Sequence, residues 1–169
     1  KTKRIIKKNL QEIILNIKKH SPHPNKVKII AVTKTLTKEA IISAINNNIF
    51  NIGENKVQET QKKLQNYQKP EKLKIHMIGH LQTNKTKEAV TLYDIIETVD
   101  SLKLAQAINR AAKTKQKQQA IYVQVNITQN KKQHGVHPKK LKKLLLEIQA
   151  LQHITLLGIM AMGAHTKNT

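Results

Sequence analysis

The feature that most restricts the fold is an alternation of short β-branched runs with stretches of helical periodicity, from one end of the chain to the other. Its first full statement is Val27-Lys28-Ile29-Ile30-Ala31-Val32-Thr33-Lys34, rich in the residues that favour a pleated, buried surface. Strand side chains alternate between two faces, so Ile30, Val32 and Lys34 share one and Val27, Ile29, Ala31 and Thr33 the other. The expectation is a buried strand ending on a lysine. An ammonium at the end of an apolar face is costly to desolvate, which favours the free amine. A free amine is the partner for an aldehyde in a Schiff base. The competing reading is a strand that runs into solvent at a surface lysine.

Residues 3–20 precede this strand and place Ile6, Leu10, Ile13, Ile14 and Ile17 at helical spacing, with Ser21-Pro22-His23-Pro24 as the stop. After it, Thr37 can cap a helix carrying Ala40, Ile41, Ala44 and Ile45, and residues 49–52 form a second strand. Asn55 with Gln58 resembles a capping box opening a helix over 55–66. The series continues with a strand over 74–78, a helix over 84–91 and a strand over 94–99. Ser101 caps a helix bearing Leu104, Ala105, Ile108 and Ala112, and 120–127 is the next strand. A polar loop over 129–138, a helix over 138–150 with Leu141, Leu144, Leu145 and Ile148 on one side, and a strand over 154–159 complete it. Apolar strands joined by amphipathic crossovers imply a parallel sheet covered by helices, either an open doubly wound sheet or a barrel. No Gly-x-Gly-x-x-Gly follows the first strand, which removes the usual dinucleotide fingerprint.

Composition narrows the function classes. The 169 residues fit one domain, and the absence of cysteine excludes disulfides and thiolate metal sites. No run approaches the roughly 20 apolar residues of a bilayer span, and the start reads as an amphipathic helix, not a signal peptide. A cytoplasmic protein with no membrane partner is expected. The net charge of +21 is the usual mark of nucleic-acid binding. Yet only Arg4 and Arg110 of the 31 basic residues are arginine, and one Phe and three Tyr offer little for base stacking. Lys, Asn and Ile share AT-rich codons, so the bias reads as base composition and no specific nucleic-acid partner is expected.

Four segments sit at expected strand ends, where parallel α/β folds place their sites. They are Ala31-Val32-Thr33-Lys34, Gly53-Glu54-Asn55-Lys56-Val57-Gln58-Glu59, His76-Met77-Ile78-Gly79-His80-Leu81-Gln82-Thr83-Asn84-Lys85, and Gly158-Ile159-Met160. In this order and spacing they resemble the pyridoxal-phosphate homeostasis protein family, single-domain proteins similar to the barrel domain of alanine racemase. The resemblance covers the chain from the first helix to about residue 163.

The fold the resemblance implies is α/β, a (β/α)8 TIM-barrel type, incomplete with six strands present and an extra N-terminal helix. It implies one domain over 1–169 that stops short of the family's C-terminal part. The implied cofactor is pyridoxal 5'-phosphate (PLP), carried as a Schiff base on Lys34 without turnover. The resemblance puts Asn55 in the wall beside the cofactor and Met160 near the pyridine ring. The residue types suit those places, since an amide offers hydrogen bonds and a thioether packs on a flat ring. Asn55 as a plain N-cap and Met160 as plain core packing stand beside those roles. Apo PLP enzymes are the implied partners. A monomer is expected unless the open barrel edges pair. A racemase-like PLP enzyme and a basic nucleic-acid-associated protein are the alternatives.

Two departures from the family pattern stand out. Gln133 occupies a position where the family usually has lysine, with Lys132 one residue out of place. The Ser and Gly-Ser/Thr segments that hold the phosphate, and an arginine facing the pyridine nitrogen, fall beyond Thr169, so weaker PLP binding is expected. Glu54 and Glu59 are expected to be solvated or capping. No metal site is expected from His76 with His80, or from His134 with His137. The Gly-His-Leu-Gln-x-Asn-Lys segment has no chemical role that its residues alone suggest.

Overall fold

A computed structural model describes residues 2–128 and 133–163. Helix α1 (Thr2–His20) leads to a 3-10 turn at Pro24–Lys26. From there β1 (Ala31–Val32), α2 (Lys38–Asn46), β2 (Asn51–Glu54), α3 (Val57–Leu64) and β3 (Lys74–Met77) follow in strict alternation. A second 3-10 turn, Thr83–Lys85, opens α4 (Thr86–Leu92). The series ends with β4 (Ile95–Val99), α5 (Leu102–Thr114), β5 (Gln119–Val125), α6 (Pro138–Gln149) and β6 (Ile154–Ala161).

The six strands pair in chain order, β1 to β6, and every pairing is parallel. Consecutive right-handed crossovers that each add one strand on the same side lay all the helices on one face, as in a β/α barrel. The core lies between those helices and the sheet. Ile52, Ile75, Met77, Ile96, Ile121 and Val123 from the strands meet Ile41, Ala89, Val90, Leu104, Ile108, Leu144 and Ile148 from α2, α4, α5 and α6. The other face curls toward itself. Ile30 before β1 and Met160 on β6 line the same cleft. Among the described residues the sheet does not close, and β1 and β6 each have one neighbour.

Local chemistry explains some of the element ends. The Ser101 hydroxyl accepts from the Leu104 amide at 3.3 Å and caps α5. Thr37 occupies the corresponding position of α2 but makes no side-chain cap bond. Pro138 opens α6, where its missing N–H costs nothing. Lys117 reaches back to donate to the Val90 and Tyr93 carbonyls at 2.8 Å each, satisfying acceptors at the end of α4. Burial lowers its pKa from the ordinary lysine value.

Three expectations need correction here. The first strand is not buried: β1 is two residues long, with Val32 49 % exposed, because an edge strand has a neighbour on one side only. The helix after β2 does not start at Asn55. Its N-cap is Lys56, and Asn55 lies between the end of β2 at Glu54 and that cap, with Gly79 packed against its backbone. The second strand lies later than 49–52, because Asn48 (φ 60°) turns the chain and Ile49 donates back to Ala44 at 3.0 Å. The apolar stripe of α1 is also left open. Ile13, Ile14 and Leu15 are exposed, and amphipathic periodicity specifies the helix without specifying a partner for it.

Candidate functional site

The carboxyl ends of the strands carry the segments singled out by sequence, and the first of them is a braced turn. Thr33 follows β1 and is buried, and its hydroxyl donates to Glu54 Oε1 at 2.6 Å. The Lys63 ammonium on α3 binds the same oxygen at 2.6 Å and the Thr33 carbonyl at 2.9 Å. Glu59 accepts from the Thr35 amide at 2.7 Å, fixing a residue that carries a left-handed backbone (φ 62°). Lys34 sits between these two clamps. Its backbone is held from both sides, while its side chain is exposed and has no hydrogen bond or ion pair among the described residues. Lys34 therefore stands in a turn beyond the strand. Its side chain is exposed, contrary to the buried position expected from the strand pattern.

Glu54 is neither solvated nor a cap. It is 1 % exposed, paired with a lysine whose side chain is 5 % exposed, and its second oxygen, Oε2, has no partner. A charge pair this buried is tolerable only with its hydrogen bonds in place. Tyr93 lies close by and is 1 % exposed. The Thr60 hydroxyl already donates to the Lys56 carbonyl, so the Tyr93 hydroxyl is the donor in their 2.7 Å bond. Burial pushes the Tyr93 hydroxyl up to about 12, with the Thr60 bond acting the other way and the Glu54 and Glu59 charges adding to the rise.

Asn55 follows at the end of β2. A Cβ on Gly79 would lie 2.3 Å from the Asn55 carbonyl oxygen, so only glycine allows the two loops to meet. The side-chain Oδ1 of Asn55 is buried with no partner. An orphaned amide oxygen at a strand end is open to a donor from a ligand. Asn55 lines a small hollow of about 250 Å³ with His80, Gln82 and Lys85, which brings the Gly-Glu-Asn and Gly-His-Leu-Gln-x-Asn-Lys segments together.

A larger cleft of about 580 Å³ occupies the concave side of the sheet. Met160 lines it, half-buried, together with Ile30, Tyr122 and a polar group that sequence reasoning missed. His76 stands between two partners, Nδ1 at 2.6 Å from Glu97 Oε1 and Nε2 at 3.1 Å from Asn51 Oδ1. The available signal was the phase of the strands, since Asn51, His76 and Glu97 fall on the face opposite the adjacent core residues Ile52, Ile75 and Ile96. The three sequence-predicted site residues are thus not gathered in one cavity. Met160 faces the concave cleft, Asn55 the rim hollow, and Lys34 the solvent at the end of β1.

The loop after β5 is organised around Gln133. Asn126 Nδ2 donates to its carbonyl at 2.9 Å, and the Thr128 hydroxyl donates to its side-chain oxygen. An amide there ties the base of the loop, where the family pattern has a lysine. Lys132 lies outside the described residues. His80 and His134, from the loops after β3 and β5, lie ring against ring with centroids 3.7 Å apart.

Comparison with known proteins agrees with this architecture. The family described as "Alanine racemase, N-terminal domain" matches residues 5–169. The pyridoxal phosphate homeostasis protein of Haemophilus influenzae is 34 % identical, covering 94 % of this chain and 67 % of its own length. That of Pasteurella multocida is 36 % identical, covering 95 % and 71 %. The solved structure of PipY from Synechococcus elongatus with PLP bound is 29 % identical, with a TM-score of 0.77 over 93 % of this chain and 72 % of that one.

Proposed function

Since this chain belongs to the pyridoxal phosphate homeostasis protein family, we propose that it binds PLP through Lys34 and serves to hold and hand on the cofactor without turning over a substrate. The observation that carries the reading is the place of Lys34 just past the carboxyl end of β1, on a turn braced from both sides, in a chain 34 % and 36 % identical to two pyridoxal phosphate homeostasis proteins. A flexible lysine on a rigid turn is accessible to an incoming aldehyde and needs little reorganisation to meet it. Bound PLP supplies that aldehyde, an aromatic ring and a phosphate.

Asn55 and Met160, at the carboxyl ends of β2 and β6, carry chemistry that suits parts of the same group. The buried Oδ1 of Asn55 lacks a donor, and Met160 offers a thioether on the concave face. His76 is already engaged by Glu97 and Asn51, which suits a structural part better than proton transfer. Among the described residues nothing offers Lys34 a second base positioned against it, and this supports a carrier over a racemase. Apo PLP enzymes in the cytoplasm are the recipients this reading implies.

The test is a titration of the purified chain with PLP followed by borohydride reduction and peptide mass mapping. One covalent adduct on Lys34, absent from Lys34→Ala, is the expected result. An undiminished adduct in Lys34→Ala would remove the site. Amino-acid racemisation by the PLP-loaded chain, measured by chiral chromatography, would remove the carrier role.

A further inference from the structure

We propose that His80, Asp100 and His134 form a binding site for a borderline divalent transition ion such as Zn2+, on the rim of the sheet and separate from the Lys34 turn. The three residues come from the loops after β3, β4 and β5 and are far apart in sequence. Each offers one ligand atom, and these atoms all lie within 4.8 Å of one another. Asp100 Oδ2 is 3.8 Å from Nδ1 of His80 and 4.0 Å from Nδ1 of His134. Two imidazoles and one carboxylate suit Zn2+ or Co2+, whereas Mg2+ and Ca2+ prefer all-oxygen sites. Three protein ligands leave a fourth position for water or an incoming group.

The backbone at each ligand is pinned, which distinguishes this cluster from a chance meeting of surface side chains. The Thr98 hydroxyl donates to the Gly79 carbonyl at 2.6 Å, immediately before His80. Asp100 directly precedes Ser101, whose hydroxyl caps α5. Gln124 donates to the His134 carbonyl at 3.0 Å, and the left-handed Gly135 (φ 128°) packs against the Asn126 backbone. Ligand atoms around a tetrahedral Zn2+ stand about 3.4 Å apart, so the observed spacings must shorten by up to roughly 1.4 Å. The rings are 40 % and 56 % exposed and free to turn out of their stack, while Asp100, 18 % exposed, is the steadier partner. Turning the rings directs their in-plane lone pairs at one point instead of along parallel planes. This also gives the histidine of the Gly-His-Leu-Gln-x-Asn-Lys segment a chemical role.

The experiment uses the PLP-free chain, so its outcome is independent of the Lys34 reading. Titration with Co2+ and Zn2+, followed by Co2+ absorbance and calorimetry, should give one equivalent bound. Affinity should fall at least tenfold in His80→Ala, Asp100→Asn and His134→Ala and stay unchanged in His23→Ala. Equal losses in His23→Ala, or no loss in the three variants, would overturn the site. If a variant does not fold, the wild-type chain still decides the matter. Paramagnetic Co2+ should broaden the ring resonances of His80 and His134 at lower concentration than those of the other histidines, and broadening that begins elsewhere refutes the assignment.

Discussion

Among the described residues Lys63 is the one cation paired with Glu54, in a place water does not reach. Removing one partner of such a pair leaves an uncompensated charge, at a cost of about 3–5 kcal/mol. Lys63→Met should therefore lower stability by that order in urea denaturation, and an unchanged midpoint would show that the pair is not needed. The same substitution frees the Thr33 carbonyl, so the turn bearing Lys34 should lose amide-exchange protection before the rest of the sheet does. Tyr93 provides a second residue-scale expectation. Its hydroxyl is pushed to about 12 in the folded chain, against an ordinary value of 10. Below pH 10 both states hold the proton, so there is no dependence on pH. Between 10 and about 12 the unfolded chain releases it first, and stability falls as pH rises through that window, by roughly 2–3 kcal/mol in full. Subtracting the profile of Tyr93→Phe from that of the wild type should isolate this loss; superimposable profiles would contradict it.

At the scale of elements, the helix starts differ in ways that a substitution can read. Ser101 and Thr37 both occupy the N-cap position, yet only Ser101 accepts a backbone hydrogen bond there. Ser101→Ala should cost about 1 kcal/mol by thermal denaturation, while Thr37→Ala should cost a few tenths at most. Equal losses would mean that Thr37 caps α2 in solution. The contact of the β2 and β3 ends makes a sharper demand. Gly79→Ala places a methyl group 2.3 Å from the Asn55 carbonyl oxygen, which is backbone and cannot swing aside. The strand ends must separate, and the small hollow lined by Asn55 and His80 should open with them. Chemical-shift changes confined to residue 79 itself would argue against that coupling.

For the molecule as a whole, the unresolved tension is between a well-filled core and two edges. Ile41, Ile52, Ile75, Ile96, Ile108 and Ile121 are wholly buried, whereas Leu157 and Ile159 on β6 and Val32 on β1 are about half exposed. Apolar edge strands with free backbone groups invite pairing with another chain. The chain is expected to self-associate at high concentration through those strands, and Ile159→Lys should shift its sedimentation profile toward the monomer. A profile independent of both concentration and the substitution would count against edge pairing. No helix among the described residues is long and apolar enough to cross a membrane.

What the sequence determined by itself was everything periodic. The order of strands and helices, the core-facing sides of α2, α5 and α6, the Ser101 cap and the parallel α/β class all follow from local patterns, and the four strand-end segments pointed to the family. Tertiary structure decided what depends on residues distant in the chain. It left Val32 half exposed on an edge, buried Glu54 by supplying Lys63, set His76 between Glu97 and Asn51, and stacked His80 on His134. Periodicity records which way a side chain points relative to its own element. Whether it then meets water, a counter-charge or another ring is fixed only when parallel strands set their register and the loops at their ends converge.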